Sequence, residues 1–325
     1  MSGIPTLSFI IPVRNDAVRL QRCLASIRAA SGNHSVEIVV ADNGSIDTSV
    51  DVATDAGATI VTLPDRVVAD VRNNGARVAR GELLAFVDAD HELSAGWTAA
   101  AIRVMQDTSV SAAGDDYDAP GDGTWVQRMY DNLRARHASV APVDWLPSGN
   151  LIVRRQVFDS VGGFDTSLES CEDVDFCRRL REAGGRLVAD PALRSIHHGD
   201  PRTLRALFLA ELWRGRDNLR VTLRDRANLR SLAGVGLTMM YLPVALAVAV
   251  GLVALPTSGV WPLALALLML AALILFKTAR LLGPVPRWLQ RLRLLPQALL
   301  VAATYDSARA LAMLARVGHE TRRKA

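Results

Sequence analysis

Two stretches with no charged side chain constrain this chain of 325 residues more than any other feature. Residues 232–255 and 260–276 contain no Asp, Glu, Lys or Arg. With its flanks, each is long enough at 1.5 Å per helical residue to cross about 30 Å of hydrocarbon. Pro256-Thr257-Ser258-Gly259 between them is a turn signal, so the pair predicts a transmembrane helical hairpin. Arg214, Arg216, Arg220, Arg224, Arg226 and Arg230 precede it, and Lys277, Arg280, Arg287, Arg291 and Arg293 follow. By the positive-inside rule both flanks, and the region N-terminal to them, face the cytoplasm. The expected location is the inner, cytoplasmic membrane, multi-pass.

Residues 294–317 are apolar but carry Asp306, Arg309 and Arg316, which are costly in lipid. The segment reads as an interfacial amphipathic helix, with a third span as the alternative. Residues 203–219 place Leu204, Leu207, Phe208, Leu212 and Leu219 near one helical face with arginines between, a second membrane-surface helix. Met1 to Thr6 carries no basic residue and residues 7–12 are only strand length, so no signal peptide is expected. The division is therefore residues 1–200, a juxtamembrane helix over 201–231, two spans over 232–282, and an interfacial helix with a basic tail over 283–325.

Composition narrows the functional classes. Charged residues make up 22% and hydrophobic ones 50%, which excludes a wholly disordered chain. A net charge of +4 without a long Lys/Arg run gives no reason to expect nucleic acid. Cys23, Cys171 and Cys177 lack metal-ligand spacing with His and read as reduced thiols.

The first two hundred residues alternate strand and helix. Strands are expected over 7–12, 36–41, 59–63 and 83–87, with helices over 17–30, 48–56 and about 67–80 between them. Such repetition implies an α/β fold with a mainly parallel, doubly wound sheet, its ligands beyond the carboxyl ends of the strands. Polar clusters stand at those ends: Pro12-Val13-Arg14-Asn15-Asp16, Asp42-Asn43-Gly44-Ser45 and Asp88-Ala89-Asp90-His91. In the last, two carboxylates one residue apart can divide labour, one holding a ribose hydroxyl and the other a divalent cation that bridges two phosphates. No Gly-x-Gly-x-x-Gly follows the first strand, which argues against a dinucleotide-dependent oxidoreductase.

These segments, with Arg72-Asn73-Asn74-Gly75-Ala76, resemble the nucleotide-sugar half of family 2 glycosyltransferases, which have the GT-A fold. Ser148-Gly149-Asn150-Leu151, Gly162-Gly163-Phe164-Asp165 and Cys171-Glu172-Asp173-Val174-Asp175-Phe176 resemble that family's acceptor half, in the same order. The resemblance implies that Pro12 and Arg14 line a uridine pocket, that Asp42 accepts from the uracil ring, and that Arg72 and Asn73 border the nucleotide. It gives Asp88 the ribose and Asp90 a Mg²⁺ or Mn²⁺ on the diphosphate, with His197 or His198 near the same metal. Gly149 and Asn150 would face the donor sugar or the acceptor.

An inverting transfer needs a base on the acceptor side, because the attacking hydroxyl loses its proton as it adds to C1. The family's Glu-Asp motif maps that base to Asp173, with Glu172 and Asp175 orienting substrate or favouring the helix that starts there. Processive relatives carry Gln-x-x-Arg-Trp before a multi-helix channel, whereas this chain reads Glu211-Leu212-Trp213-Arg214-Gly215 and has about two spans. The expected activity is transfer of one sugar from a nucleotide-diphosphate sugar, UDP-linked, to a lipid-linked or glycan acceptor at the membrane. The alternatives are a processive synthase and an inactive scaffold, though a scaffold is expected to have lost Asp88, Asp90 or Asp173. Reporter fusions test the topology: one at Ala325 should be cytoplasmic and one within the 256–259 turn external, and an external tail would mean that residues 294–317 cross as a third span.

Overall fold

In the computed structural model of the chain, residues 6–134, 137–225 and 228–315 are described; Arg226, Arg316 and the tail to Ala325 lie outside them. The chain divides into two compact units, residues 6–120 with 137–200, and residues 121–134 with 201–315.

The first unit opens with β1 (Leu7–Val13), α1 (Ala17–Ser31), β2 (Val36–Asp42), α2 (Ser49–Asp55), β3 (Thr59–Thr62), α3 (Val68–Val78) and β4 (Leu83–Val87), the alternation expected. There follow β5 (His91–Leu93), α4 (Trp97–Val104), β6 (Val110–Gly114) and β7 (Tyr117–Asp118). The helix α5 (Trp125–Asp131) belongs to the second unit. Beyond it come β8 (Ala141–Pro142), β9 (Asn150–Arg154), α6 (Arg155–Ser160), α7 (Glu172–Glu182), β10 (Arg186–Ala189) and β11 (Ser195–His197).

Eight strands form one sheet in the order β3-β2-β1-β4-β9-β6-β10-β8. The first four are parallel, β9 runs against both β4 and β6, and β10 returns parallel to β6. All five residues of β4 are buried, as a strand covered on both faces requires. The period of two sorts its neighbours. Phe9, Ile11, Ala85 and Val87 face Trp97 and α1, while Ile10, Leu84 and Phe86 face the other layer. There Phe86, Phe158, Phe164 and Phe176 pack ring on ring, with Phe86 and Phe164 edge to face at 5.0 Å.

Two registers place the polar residues. Val87 lies opposite Asn150 in the β4–β9 pair, so Asp88 leaves the sheet beside Gly149. A second, three-stranded sheet, β5-β11-β7, pairs His197 directly with His91.

Asn150 is not turned toward a substrate. It is fully buried; its amide donates to the carbonyls of Asp115 (3.0 Å) and Leu193 (2.7 Å), and its oxygen accepts from the Trp97 indole (3.0 Å). The residue ties β9 to two loops whose backbone has no ladder to join.

The second unit is helical: α5, then α8 (Leu204–Arg214), α9 (Asn218–Arg224), α10 (Leu229–Met239), α11 (Tyr241–Ser258), α12 (Trp261–Leu282) and α13 (Trp288–Ala315). Segments Leu229–Thr257 and Trp261–Leu282 are long and apolar enough to cross a membrane, with mean hydropathies of 2.2 and 2.1. Several local expectations shift. The chain reverses at Gly259 (φ 71°), and Pro256 sits inside the last turn of α11 rather than in the loop. The helix expected over 203–219 breaks at Gly215, where a Cβ would press on Ala312 of α13. On α13, Asp306 and Arg309 point into the unit rather than along a water-facing stripe: Arg309 meets Glu211 at 2.7 Å and Lys277 meets Asp306 at 3.1 Å. Glu211 is fully buried and also receives Arg214 and the Tyr130 hydroxyl. A charge turned inward needs such partners.

Replacing Asn150 by Ala orphans the Asp115 carbonyl, at about 1–3 kcal/mol for a buried group left unmatched, and removes a bond worth about 0.5–1.5 kcal/mol from the Leu193 carbonyl, which keeps the Trp97 indole. We expect urea unfolding followed by near-ultraviolet circular dichroism to show a loss of roughly 2–4 kcal/mol. A loss confined to substrate affinity would return Asn150 to a sugar-facing role.

Candidate active site

Arg72 is the centre of the polar crevice in the first unit. It projects from α3 and is only 3% exposed. One guanidinium nitrogen meets Asp88 at 2.6 Å, just past β4, and another meets Glu172 at 2.7 Å, at the start of α7. Its plane also lies over the Phe164 ring, 5.8 Å from the centroid. The two carboxylates hold its charge even more firmly than usual, although burial works the other way. The residue expected to border a nucleotide is thus committed to fixing two acidic loops. Asn73 is committed too: its amide donates to the Phe164 carbonyl (2.8 Å) and accepts from the Phe164 N–H (2.9 Å), clamping the Gly162-Gly163-Phe164 loop.

Asp173 lies on the acceptor-half motif. The chain enters α7 through Cys171 in the left-handed region (φ 58°), after which Glu172 is buried against Arg72 and Ser148 while Asp173 stays partly exposed. Asp173 accepts from the N–H groups of Val174 (2.8 Å) and Ser148 (3.4 Å). Burial and the adjacent Glu172 carboxylate raise its pKa to about 7, against the pull of those N–H groups and Arg72. Asp175 is different. It is 1% exposed and held by Arg178 (3.0 Å) and Arg179 (2.8 Å) of its own helix, so it is no free base.

At the other acidic end, Asp90, His91 and His197 bring their ligand atoms within 4.8 Å of one another. Asp90 Oδ2 is 3.3 Å from His197 Nε2. The Nδ1 atoms are held from behind, His197 by Asp200 (2.7 Å) and His91 by Ser195 (2.8 Å), an outer shell of the kind that orients metal-binding imidazoles. Burial would lower the pKa of His197, but Asp90 and Asp200 outweigh it and push it up to about 9. Asp90 is held well below the usual carboxylate range: burial opposes this, and His197, His91 and Arg19 overcome it. His198 points elsewhere, between Arg22 and Glu92 at 2.8 Å each. Of the two adjacent histidines it is His197 that faces Asp90. His91 carried no role in the sequence reading; the signal available was its place next to Asp90, and only the β5–β11 register brings it to His197.

The donor set fits a divalent cation. One carboxylate and two imidazoles suit a first-row ion such as Mn²⁺ better than Mg²⁺, which prefers oxygen ligands. Glycines leave room around the group: a Cβ at Gly199 would collide with Asp90 Oδ2, and one at Gly149 would come within 2.7 Å of Asp88 Oδ2 and 3.0 Å of His91 Nε2. Gly149 therefore acts through closeness of backbone rather than by binding.

The remaining residues expected on the nucleotide side stand at or just past the carboxyl ends of β1 and β2. Pro12 pairs with Ala41 inside the sheet and is partly exposed, and Arg14 is exposed and meets Asp65 at 3.0 Å. Asp42 is 2% exposed and spends its carboxylate on the N–H groups of Gly44 (3.2 Å) and Ser45 (3.1 Å), shaping the turn. Asn15 (φ 53°) joins the two loops by accepting from the Ile46 N–H at 2.7 Å.

Residues 8–165 match the sequence profile described as Glycosyl transferase family 2. That stretch is a family 2 glycosyltransferase domain. It is 27% identical over 250 residues to glycosyltransferase AglE of Haloferax volcanii, covering 74% of this chain and 81% of that protein. It is 30% identical over 210 residues to the pre-mycofactocin glycosyltransferase of Mycobacterium tuberculosis, covering 61% of this chain but only 43% of that protein. Among solved structures, a mannosyltransferase, PcManGT, from Pyrobaculum calidifontis, in complex with GDP-mannose and Mn²⁺, shares the GT-A fold. The TM-score is 0.60 at 17% identity, over 97% of this chain and 87% of that one. The chain is a glycosyltransferase that uses a nucleotide-sugar donor.

If Asp90, His91 and His197 hold a cation, Gly199→Ala should disturb it more than any change that leaves the three ligands in place. We expect Mn²⁺ affinity, measured by electron paramagnetic resonance with UDP present, to fall about 10–100-fold. Unchanged affinity would place the metal elsewhere.

Proposed function

We propose that this family 2 glycosyltransferase is an inverting, cation-dependent enzyme that moves one sugar from a nucleotide diphosphate, UDP first, to a lipid-linked acceptor at the cytoplasmic face of the membrane, in cell-surface glycan synthesis. The observation that carries the reading is Arg72, which ties Asp88, at the head of the Asp88-Ala89-Asp90 motif, to Glu172, the neighbour of Asp173. One buried cation thus fixes a donor-side and an acceptor-side carboxylate in one crevice.

Asp173 takes the proton from the acceptor hydroxyl as it attacks C1 from the side opposite the leaving diphosphate. A carboxyl group that titrates near neutrality is well matched to this work, since a base is most effective with a pKa near the working pH. Glu172, held by Arg72 and Ser148, keeps the start of α7 in place. Asp90, His91 and His197 would hold the cation, with Asp88 toward the ribose. A bound Mn²⁺ supplies positive charge to the departing diphosphate. Arg14, exposed at the end of β1, and the turn shaped by Asp42 border the nucleotide. The PcManGT complex contains GDP-mannose, so both uridine and guanosine donors belong in the test.

The two apolar helices support a membrane position, and the arginines on both flanks support cytoplasmic ends. Single transfer is favoured over polymerisation by the replacement of Gln-x-x-Arg-Trp, because Glu211 is engaged with Arg214, Arg309 and Tyr130.

With a membrane lipid extract as acceptor and saturating UDP- or GDP-sugar, Asp173→Asn should slow single-turnover transfer about 10²–10⁴-fold while donor affinity stays nearly unchanged. Asp175→Asn should lose stability through its arginines and much less rate. The wild-type rate should rise with pH through about 7, where Asp173 loses its proton, and the Asn variant should lack that limb. Near wild-type turnover in Asp173→Asn would remove this carboxylate as the base.

A further inference from the structure

The second unit holds a cavity of about 270 Å³ lined by none of the residues of the first unit's polar crevice. Its wall is formed by α10, the start of α11, the end of α12 and Asp306 of α13. Arg230 stands at the second residue of α10, and Arg280 near the end of α12. Because α12 runs back along the segment that α10 begins, both guanidinium groups lie at the same end of the helix pair. Neither has a carboxylate partner among the described residues. Lys277 also lines the cavity and is matched by Asp306 at 3.1 Å, so the wall carries two cations in excess. Below them the lining turns apolar, with Leu237, Leu273 and Phe276. Tyr241, 5% exposed, adds a hydroxyl beside Asp306 to the wall.

We propose that this cavity binds the phosphate of an anionic lipid, with Arg230 and Arg280 on the phosphate and the first carbons of the chain along Leu237 and Phe276. The proposal rests on the reading of α10 to α12 as membrane helices, which puts the arginines at the boundary between hydrocarbon and water. Unpaired cations above an apolar wall at that depth match a head group on an acyl or isoprenyl chain. They do not match a free nucleotide, which has no apolar tail. Two sources share this chemistry, a bilayer phospholipid and a polyisoprenyl phosphate that serves as acceptor.

The test is native mass spectrometry of the full chain, delipidated in neutral detergent and titrated separately with phosphatidylglycerol, a polyisoprenyl monophosphate and phosphatidylcholine. The anionic lipids should be retained over phosphatidylcholine. Arg230→Gln with Arg280→Gln should weaken that retention roughly 30-fold, since each cation near a membrane surface contributes about fivefold. Neither change orphans a described ion partner. Gly234→Leu alters no charge; it lines the cavity, and nothing stands within 4 Å of a Cβ built there. A side chain at that point should also reduce retention, which simple surface attraction would not. The tighter of the two anionic lipids names the source. Equal retention of phosphatidylcholine, or full retention by both variants, overturns the site. UDP binding read in the same samples keeps the two ideas apart: specific lipid retention without any UDP binding would count against the proposed function and leave this site standing.

Discussion

The crevice depends on one buried guanidinium. A cation that is 3% exposed is tolerable only when carboxylates meet it, and Arg72 meets two from distant parts of the chain, sixteen residues away at Asp88 and one hundred at Glu172. Removing either acid would leave the charge beside Phe164 with one carboxylate instead of two. The constraint works in both directions. The end of β4 and the start of α7 are held to the same point, and Asp90 and Asp173 take their places two residues and one residue beyond the two anchors. Electrostatics of this kind positions the two neighbouring carboxylates without engaging them.

The histidine corner is set by backbone pairing instead. A three-residue strand after the Asp88-Ala89-Asp90 motif pairs with the last strand of the first unit, and their register sets His91 against His197. Asp200 and Ser195 then fix the imidazoles, and the glycines at 149 and 199 leave the space that any side chain would take. Charge and close packing converge here. His197, His91 and Arg19 hold Asp90 ionised in spite of its burial.

Much of this was legible in the sequence where the signal is local. The alternation of apolar strands with amphipathic helices gave seven consecutive elements close to their observed ends, because continuous burial and a period of 3.6 leave a direct trace. The apolar runs gave the two long helices for the same reason. Non-local contacts left no trace. Asn150 next to a glycine looks the same whether it meets a sugar or two carbonyls. Arg72 and Asn73 look like surface ligands until β4 and α7 close over them. The choice between His197 and His198 depends on which face of a short strand turns inward, and Asp306 and Arg309 resemble an interfacial stripe until Lys277 and Glu211 are found opposite. Helix α5 was hidden in a segment rich in Gly, Asp and Pro, although Thr124 and Gln127 carried a capping box.

The central claim is that a cation at Asp90, His91 and His197 and a base at Asp173 serve the same donor. Anomalous diffraction at the manganese edge from crystals grown with Mn²⁺ and UDP tests it most directly. The account predicts one peak at coordination distance from Asp90 and His197, with the diphosphate beside it and Asp173 facing the position where the sugar C1 would stand. A peak on other residues, or a diphosphate with Asp173 behind it, would contradict the account.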